Sequence, residues 1–356
     1  MALNSEADVG LRWLVKAHPL GSDLFIAQVG DERDHDLGFR DPTDDDASDL
    51  PGIGVRRGYS GVGSDVSGKV AAALAMAADR GSPVAPAPIL LQHAKEWYEA
   101  GRVAAKPLAK LPKPSGGFYL AETWRDDMAG GAAALYRSTG DRAYLDQALR
   151  YLADSHGVNG IGWIDNATYA AADLCGALGA PPLGSVEQRR AACNRLADSA
   201  RDAVYNVRQD AFDMAGYMTW GSTSENVAFG ASAPLAARVG LVRGSRATAA
   251  AARDWMFGRN PWGASFVAGF GPNSLKHLHH WATVFGDGMP DGAVVGGPAP
   301  MKDILGENLR RRTRPFDRFS TARAAYGDMR VDYVTSEPAI DYNGASILML
   351  AALATP

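Results

Sequence analysis

Apolar and small residues recur at helical spacing along most of the chain. This pattern predicts helices over residues 67–79, 127–139, 142–154, 166–178, 186–206, 226–239, 245–257 and 344–353. Glycine or proline stands at nearly every junction between them, as in the turns of a helical array. Strand-like alternation is limited to residues 23–29 and 294–295. We therefore expect an all-α fold built from short antiparallel helices.

Two of these helices carry runs of small residues. Residues 71–73 are all alanine, and residues 129–134 contain only alanine and glycine. Small side chains let helix axes approach closely, so both runs predict tight contacts between helices. The proline-rich and glycine-rich segments 81–88 and 110–117 are interpreted as loops between helices. We expect one domain over residues 1–356.

Composition excludes several classes of protein. Apolar residues make up 46% of the 356 residues, and the net charge is −4. The only basic cluster, residues 310–314, has no interleaved aromatic rings, so we expect no nucleic acid partner. No apolar run approaches the ~20 residues that span a bilayer, so we expect no membrane partner. The two cysteines, Cys175 and Cys193, lie in predicted helices and are interpreted as buried thiols without a disulfide.

The densest chemistry lies in residues 326–343. This stretch holds three tyrosines and four acids: Asp328, Asp332, Glu337 and Asp341. Sugar hydrolysis uses carboxyl groups among aromatic rings, because partial desolvation raises a carboxyl pKa and keeps its proton available. By pattern alone, several of these acids are equal candidates for the proton donor. A solvated loop that caps the C-terminal helix is an equally good interpretation.

The same residues resemble the C-terminal signature of glycoside hydrolase family 9, the inverting cellulases and cellodextrinases. The resemblance rests on Asp328, the pair Asp332-Tyr333, the pair Ser336-Glu337 and residues 339–343. Further collinear matches run from about residue 11 to the end. They are residues 28–31 with 34–35, 63–74, 118–119 with 124–127, 163–166, 220–222, 258–271 and 278–280. Together these matches are far more specific than any single one.

The resemblance implies an (α/α)6 barrel that hydrolyses β-1,4-glucosidic bonds in cellulose-type glucans or cello-oligosaccharides with inversion. It makes Glu337 the general acid and places Asp328 in the loop beside it. The substrate-binding residues that it implies are His35, Trp124, Trp163, Asp165, Trp220, His279, His280 and Tyr333. Aromatic rings suit the apolar faces of sugars, although core packing is the alternative for each tryptophan.

No cofactor is expected for this chemistry. The neighbouring residues His279 and His280 alone could form a zinc site, but no cysteine or carboxylate stands at ligand spacing. Some family members hold a structural calcium. The aspartate-rich segment 31–46, with seven aspartates, is where the resemblance allows one, although its spacing is not that of an EF-hand.

The chain also departs from the family pattern. The Asp-Ala-Gly-Asp motif that carries the family's general base is not found, so we expect a barrel without its first helix or two. Segment 31–46 is a minor alternative source of the base. Trp281 stands where the family has a sugar-binding arginine. A non-catalytic β-glucan-binding protein on the same scaffold therefore remains open, and a lyase or isomerase on another helical barrel is a weaker third hypothesis.

Two further expectations concern self-association and cellular location. An incomplete barrel would expose apolar side chains around Leu11, Trp13, Leu14 and residues 71–78, so we expect self-association. The family is often secreted, which makes secretion the expectation from resemblance. No signal peptide is present in residues 1–10, so the sequence leaves the location open.

Overall fold

The computed structural model describes residues 2–40, 56–108, 111–112, 119, 121, 123–156, 161–162, 164–243, 246–286, 288–307, 309 and 317–354. Its helices are α1 (Ala2–Lys16), α2 (Glu32–Asp36), α3 (Ser64–Asp79), α4 (Ala87–Ala104), α5 (Arg125–Thr139), α6 (Arg142–Ala153), α7 (Ala167–Leu174), α8 (Arg190–Gln209), α9 (Ser222–Arg238), α10 (Arg246–Met256), α11 (Ala282–Phe285), α12 (Met301–Gly306), α13 (Tyr333–Ser336) and α14 (Ile340–Ala354). A 3₁₀ turn spans Asp317–Phe319. Strands β1 (Ile26–Val29) and β2 (Gly58–Ser60) pair antiparallel.

Most predicted helices are found, with shifted ends, but α4 was missed. The prolines around residue 87 favoured a loop there, whereas Pro86 is the residue before the helix and Pro88 lies in its first turn. Proline is tolerated in the first turn, where a missing N–H removes no intrahelical bond. One face of α4 then buries Leu90, Ala94 and Trp97. The apolar spacing of these residues is the signal that identifies the helix.

Contacts between Cα atoms divide the chain into two compact units. Unit 1 contains residues 1–38, 42–158 and 164–193. Its centre is α3, which packs against α4 and α5, while α5 also packs against α6 and α7. Glycine permits the closest approach: a Cβ at Gly68 would lie 2.4 Å from the carbonyl carbon of Asp127. The small residues of α3 and α5 therefore allow the close packing that the sequence predicts.

The prediction of two buried thiols is wrong, because Cys175 and Cys193 form a disulfide within unit 1. The prediction assumed a helix through residue 178, but α7 ends at Leu174 and the chain turns at Gly176, whose φ is +79°. The return brings the two cysteine Cα atoms to 5.6 Å, inside the range that a disulfide spans.

Unit 2 contains residues 39–41, 159–163 and 194–356. Here α9 packs against α10 and α14, and α10 also contacts α14. Beside them, long loops fold around an aromatic core that includes Trp255, Trp262, Phe266 and Tyr326. Residues 294–295, predicted as strand, form only isolated bridges, with Val267 and Pro338. These bridges fix the loops that carry the candidate acid.

The predicted exposed apolar face is mostly wrong. Leu11 is buried, and Ala71 and Ala75 have no exposed surface. They are covered because α1 packs on α3, and α3 is enclosed by α4 and α5. Of the predicted residues, Trp13 and Met76 are exposed and Leu14 is half-buried. Leu3 and Val9 of α1 are exposed with Trp13. Within the described part of the chain, no helix has the length and apolarity to cross a membrane.

Candidate active site

The candidate acid, Glu337, lies directly after the short helix α13. The Asp332 side chain caps the start of this helix by accepting a hydrogen bond from the Thr335 N–H. The Glu337 carbonyl accepts a bond of 3.0 Å from the Gly296 N–H, and Pro338 pairs with Val295. The Glu337 side chain itself is exposed. The backbone is thus anchored on both sides of an exposed glutamate.

Asp328, the second predicted catalytic residue, is buried and committed to the backbone. Its carboxylate oxygens accept from the Lys276 N–H at 2.9 Å and the His277 N–H at 2.8 Å. These bonds fix the segment that leads into the histidine pair. The geometry favours a positioning role for Asp328, and its place in catalysis stays a prediction.

His279 belongs to a row of aromatic rings in unit 2. Its Nδ1 lies 2.7 Å from the Arg330 carbonyl oxygen, which only accepts, so Nδ1 carries the proton. Burial lowers the pKa of His279. Its ring lies 4.7 Å from Phe39 and 5.6 Å from Tyr333, and Tyr333 lies 6.2 Å from Trp220. We call these four residues the aromatic row; rings of this kind offer apolar faces to sugars.

The His280 side chain makes a local contact within the turn that follows it. Its Nδ1 accepts from the Ala282 N–H at 3.3 Å, and burial lowers its pKa. The ring lies 5.8 Å from that of Trp281. Among the described residues, no group of three or more histidines, cysteines or acids is placed to hold a metal ion.

Glu307 joins the site although sequence reasoning did not identify it. It follows α12 directly, and its carboxylate accepts a hydrogen bond of 2.8 Å from the Tyr333 hydroxyl. Burial, with this bond as the next contribution, raises the pKa of Tyr333 to about 12. The negative charge of Glu337 also acts on the same phenol. Glu307 lies 26 residues before Tyr333, outside every motif, so only the fold reveals it.

Unit 1 carries a second group of predicted binding residues. Trp124 is half-buried at the start of α5, with its ring 5.7 Å from that of Tyr151. The Arg125 guanidinium lies 4.5 Å from the centre of the Trp124 ring. Trp163 lies outside the described residues. Asp165 is buried and accepts from the Ala167 N–H at 2.7 Å, which favours a capping role while its contact with sugar stays a prediction.

Beneath Trp124 lies a buried polar network. Asp126 accepts from the Thr123 hydroxyl at 2.5 Å and the Asn166 N–H at 2.7 Å. Asp127 accepts from the Lys69 ammonium at 2.5 Å and the Asn166 side chain at 2.9 Å. Burial raises the pKa of Asp127 to about 7, against the opposing charge of Lys69. The network ties the starts of α5 and α7 to α3.

The aspartate-rich segment is described only up to residue 40, and Asp41, Asp44, Asp45 and Asp46 lie outside the described residues. His35 is exposed on α2, with Nδ1 3.2 Å from an Asp36 oxygen. Asp31 caps α2 and accepts from the Tyr59 hydroxyl at 2.7 Å, which lowers its pKa. Asp34 pairs with Arg56 at 2.9 Å. The described aspartates thus bind protein donors and do not form a calcium cage.

Comparison with known proteins finds one family and many relatives. The profile of Glycosyl hydrolase family 9 matches residues 1–350. Endoglucanase 14 of Arabidopsis thaliana is 27% identical, over 97% of this chain and 75% of its own length. Endoglucanase B of Cellulomonas fimi is also 27% identical, over 96% of this chain and 32% of its own length.

Solved structures agree. A metagenome-derived glycoside hydrolase family 9 endoglucanase matches with a TM-score of 0.75 at 25% identity, over 96% of this chain. This chain spans 60% of that protein's length. The structure of AaCel9A in complex with cellobiose-like isofagomine matches with a TM-score of 0.75 at 24% identity, over 96% of this chain and 63% of that one. The matches confirm the predicted fold class, the all-α (α/α)6 barrel.

Proposed function

This chain belongs to glycosyl hydrolase family 9, and we propose that it hydrolyses β-1,4-glucosidic bonds in cellulose-type glucans and cello-oligosaccharides. The reaction proceeds with inversion, and Glu337 is the general acid. The names of the matched relatives support the reaction class, since they are endoglucanases. The cellobiose-like isofagomine in one matched structure supports the substrate class.

The observation that carries the proposal is the position of Glu337 within unit 2. Its exposed carboxyl group stands on an anchored backbone, and its charge reaches the phenol of Tyr333 in the aromatic row. The other acids of residues 326–343 are buried or half-buried. Asp328 binds two backbone amides, and Asp332 caps α13. Burial raises the pKa of Asp341, which is half-buried at the start of α14.

The aromatic row supplies the binding surface in this proposal. A pyranose ring stacks its C–H face on Trp220, which is 42% exposed, and on the neighbouring Tyr333. The glycosidic oxygen then meets the Glu337 carboxyl group, which donates its proton as the C1–O bond breaks. Trp124 and His35 of unit 1 are proposed as further sugar contacts on the strength of the family resemblance.

The alternative, a non-catalytic β-glucan-binding protein, would use the same aromatic surfaces, so turnover alone separates the two. The experiment measures reducing ends released from cellopentaose by the wild-type chain, Glu337→Gln and a control, Glu187→Gln. Glu187 is exposed in unit 1, outside every candidate site. We expect turnover by wild type and control and a loss of about 10²–10⁴-fold in Glu337→Gln. A folded, inactive wild-type chain that still binds the sugar would favour the binding protein.

We also propose that the chain works in an oxidising compartment. Its Cys175–Cys193 disulfide supports this, because disulfides persist in secreted proteins and are rare in the cytosol. Antibody detection in the culture medium of the source cells would support the proposal, and detection only in the cytosolic fraction would contradict it. Structural calcium stays a prediction for segment 31–46, and the proposed reaction needs no metal.

Self-association is proposed through the exposed apolar side chains of α1. Leu3, Val9 and Trp13 are 62%, 54% and 42% exposed. They lie on one side of the helix, away from Asp8 and Leu11, which are buried. Light scattering should report a mass above 37.6 kDa that falls in Trp13→Ser. A wild-type monomer at high concentration would contradict the proposal.

A further inference from the structure

Residues of α4 and α6, with Asp154 directly after α6, line a groove on unit 1 that contains none of the predicted site residues. The groove has a volume of about 360 Å³, and its lining residues are Arg102, Gln147, Arg150, Tyr151 and Asp154. Pockets that bind small molecules usually measure about 300–1,000 Å³. The groove therefore has room for a single sugar ring.

Two side chains of the groove are held in place by their neighbours. Gln147 donates to the Ala143 carbonyl at 3.1 Å and accepts from the hydroxyl of Tyr98, which is buried, at 3.0 Å. The Tyr151 ring is half-buried and lies edge to face with the Trp124 ring at 5.7 Å. Because these groups are oriented before a ligand arrives, little conformational entropy is lost on binding.

Positive charge exceeds negative charge around the Tyr151 phenol. Burial raises the pKa of Tyr151, and three positive charges oppose that rise. These charges belong to Arg102, Arg150 and Arg125. The carboxylates that face them are Glu99, which acts on the same phenol, and Asp154 in the groove lining. The local excess of positive charge favours an anion, although the chain as a whole has a net charge of −4.

The two arginines that line the groove differ in what they contact. Arg102 donates two hydrogen bonds to Glu99, of 2.7 and 2.5 Å, and this pair is neutral. Arg150 is exposed, and within the described part of the chain no hydrogen bond or ion pair engages its side chain. A guanidinium group presents parallel N–H donors that match the two oxygens of a carboxylate. Arg150 is thus the group in the groove that suits a carboxylate ligand.

We propose that this groove binds an acidic sugar, a hexopyranose whose C6 atom belongs to a carboxylate. Arg150 binds the carboxylate through paired N–H donors, the Tyr151 ring packs on a C–H face of the sugar, and Asp154 accepts hydrogen bonds from ring hydroxyl groups. A neutral sugar would leave the Arg150 guanidinium without a partner. The groove lies in unit 1, and no step of the proposed hydrolysis passes through it. The inference therefore goes beyond the proposed function and does not depend on it.

The test measures binding of methyl β-D-glucuronide to the full chain by NMR titration, with methyl β-D-glucoside as the neutral comparison. Wild type should bind the glucuronide about tenfold more tightly than the glucoside, and Arg150→Gln should bind both equally. Arg150→Lys should keep part of the preference, because an ammonium group has the charge without the paired donors. Arg142→Gln, which replaces an exposed arginine at the start of α6, is the control and should match wild type.

The salt dependence of binding gives a second readout on the unmodified chain. Raising the sodium chloride concentration should weaken binding of the glucuronide and leave binding of the glucoside unchanged, because ions screen the exposed Arg150 charge. This measurement needs no variant, so it does not depend on how a substituted chain folds. An equal response of the two sugars to salt would contradict the role given to Arg150.

Several results would overturn the inference. No measurable binding of the glucuronide by wild type, or an affinity that is unchanged in Arg150→Gln, would remove the sugar from this groove. Equal affinity of wild type for the two sugars would remove the selection for an acid. Sodium acetate that binds as tightly as the glucuronide would show an anion site without sugar recognition. None of these readouts uses turnover, so failure here and failure of the proposed function are separate results.

Discussion

The two units use carboxyl groups in opposite ways. In unit 1, Asp126 and Asp127 are buried, and each accepts hydrogen bonds from two groups. In unit 2, Glu337 and Glu307 are exposed beside the aromatic row. Sequence motifs singled out acids in both units. The difference teaches that a buried carboxylate surrounded by donors builds structure, whereas an exposed one on a fixed backbone lies where a substrate can reach it.

The free-energy cost of burying a carboxyl group explains why the acids of the two units differ. Burying a carboxyl group without partners costs several kcal/mol, and the hydrogen bonds from Thr123, Asn166 and Lys69 to Asp126 and Asp127 offset that cost. Those partners leave no oxygen for a substrate. An exposed glutamate pays no such cost, and its removal should change stability little. Stability and activity should therefore separate between the two groups.

The largest expected effect of the buried acids in unit 1 is on the pH dependence of the free energy of unfolding. Burial raises the pKa of Asp127 from 3.8 to about 7. The folded chain thus keeps a proton that the unfolded chain releases, so this contribution to stability is full below pH 3.8 and is lost as pH rises through about 7. The upper limit is roughly 4 kcal/mol. Urea unfolding from pH 4 to 8 should show wild type falling relative to Asp127→Asn; parallel curves would contradict this.

The disulfide should give the next largest effect, and only in unit 1. It joins Cys175 and Cys193 across 18 residues, and a loop of that size gives about 3 kcal/mol. Cys175→Ser with Cys193→Ser should lower the free energy of unfolding by that amount. The melting temperature of wild type should fall on reduction, and that of the double variant should not. An equal fall in the melting temperatures of wild type and the double variant on reduction would contradict the prediction.

Removing one carboxylate from each unit compares how much a buried and an exposed acid contribute to the free energy of unfolding. Asp126→Ala should cost about 2–3 kcal/mol, because it deletes a buried acceptor and leaves the half-buried Asn166 N–H without its partner. Glu337→Ala, whose side chain is exposed, should stay within about 0.5 kcal/mol of wild type. Urea unfolding of both variants checks the prediction. Similar losses in the two would erase the distinction between the units.

The smallest effect concerns binding. Trp220→Ala removes an exposed ring from the aromatic row. We expect about fivefold weaker binding of cellotetraose, or about 1 kcal/mol, from lost stacking. Tyr205→Ala, which removes an exposed ring on α8, is the control and should bind normally. Isothermal titration calorimetry of both variants measures the difference, and equal affinity in both would remove Trp220 from the site.

Sequence reasoning identified most of the helical framework because apolar periodicity is a local property. α5 and α6 begin and end within two residues of prediction. The failures arose where neighbours decide the outcome. The start of α4 was missed because Pro88 in its first turn favoured a loop. The disulfide was missed because the turn at Gly176, which brings Cys175 to Cys193, was predicted as helix. The exposure of α3 was misjudged because the burial of its alanines depends on helices that local pattern does not place.

For the candidate site, motifs located Glu337, Tyr333 and His279 but not their partners. Phe39 joins the aromatic row and Glu307 contacts it from segments outside the matched motifs, and only folding brings them there. The resemblance placed Asp165 among the substrate-binding residues and Asp328 in the loop beside the acid; the structure adds that Asp165 accepts one backbone N–H and Asp328 accepts two. A motif identifies which residues matter, and the contacts show how each one is used.

The central claim, that Glu337 is the general acid, is tested most directly by comparing two leaving groups. Initial rates of wild type and Glu337→Gln would be measured on cellopentaose and on 2,4-dinitrophenyl β-cellobioside. Dinitrophenolate leaves without a proton, so it does not need an acid. We expect Glu337→Gln to lose about 10²–10⁴-fold on cellopentaose and less than about tenfold on the dinitrophenyl substrate. Equal losses on both substrates would contradict the assignment.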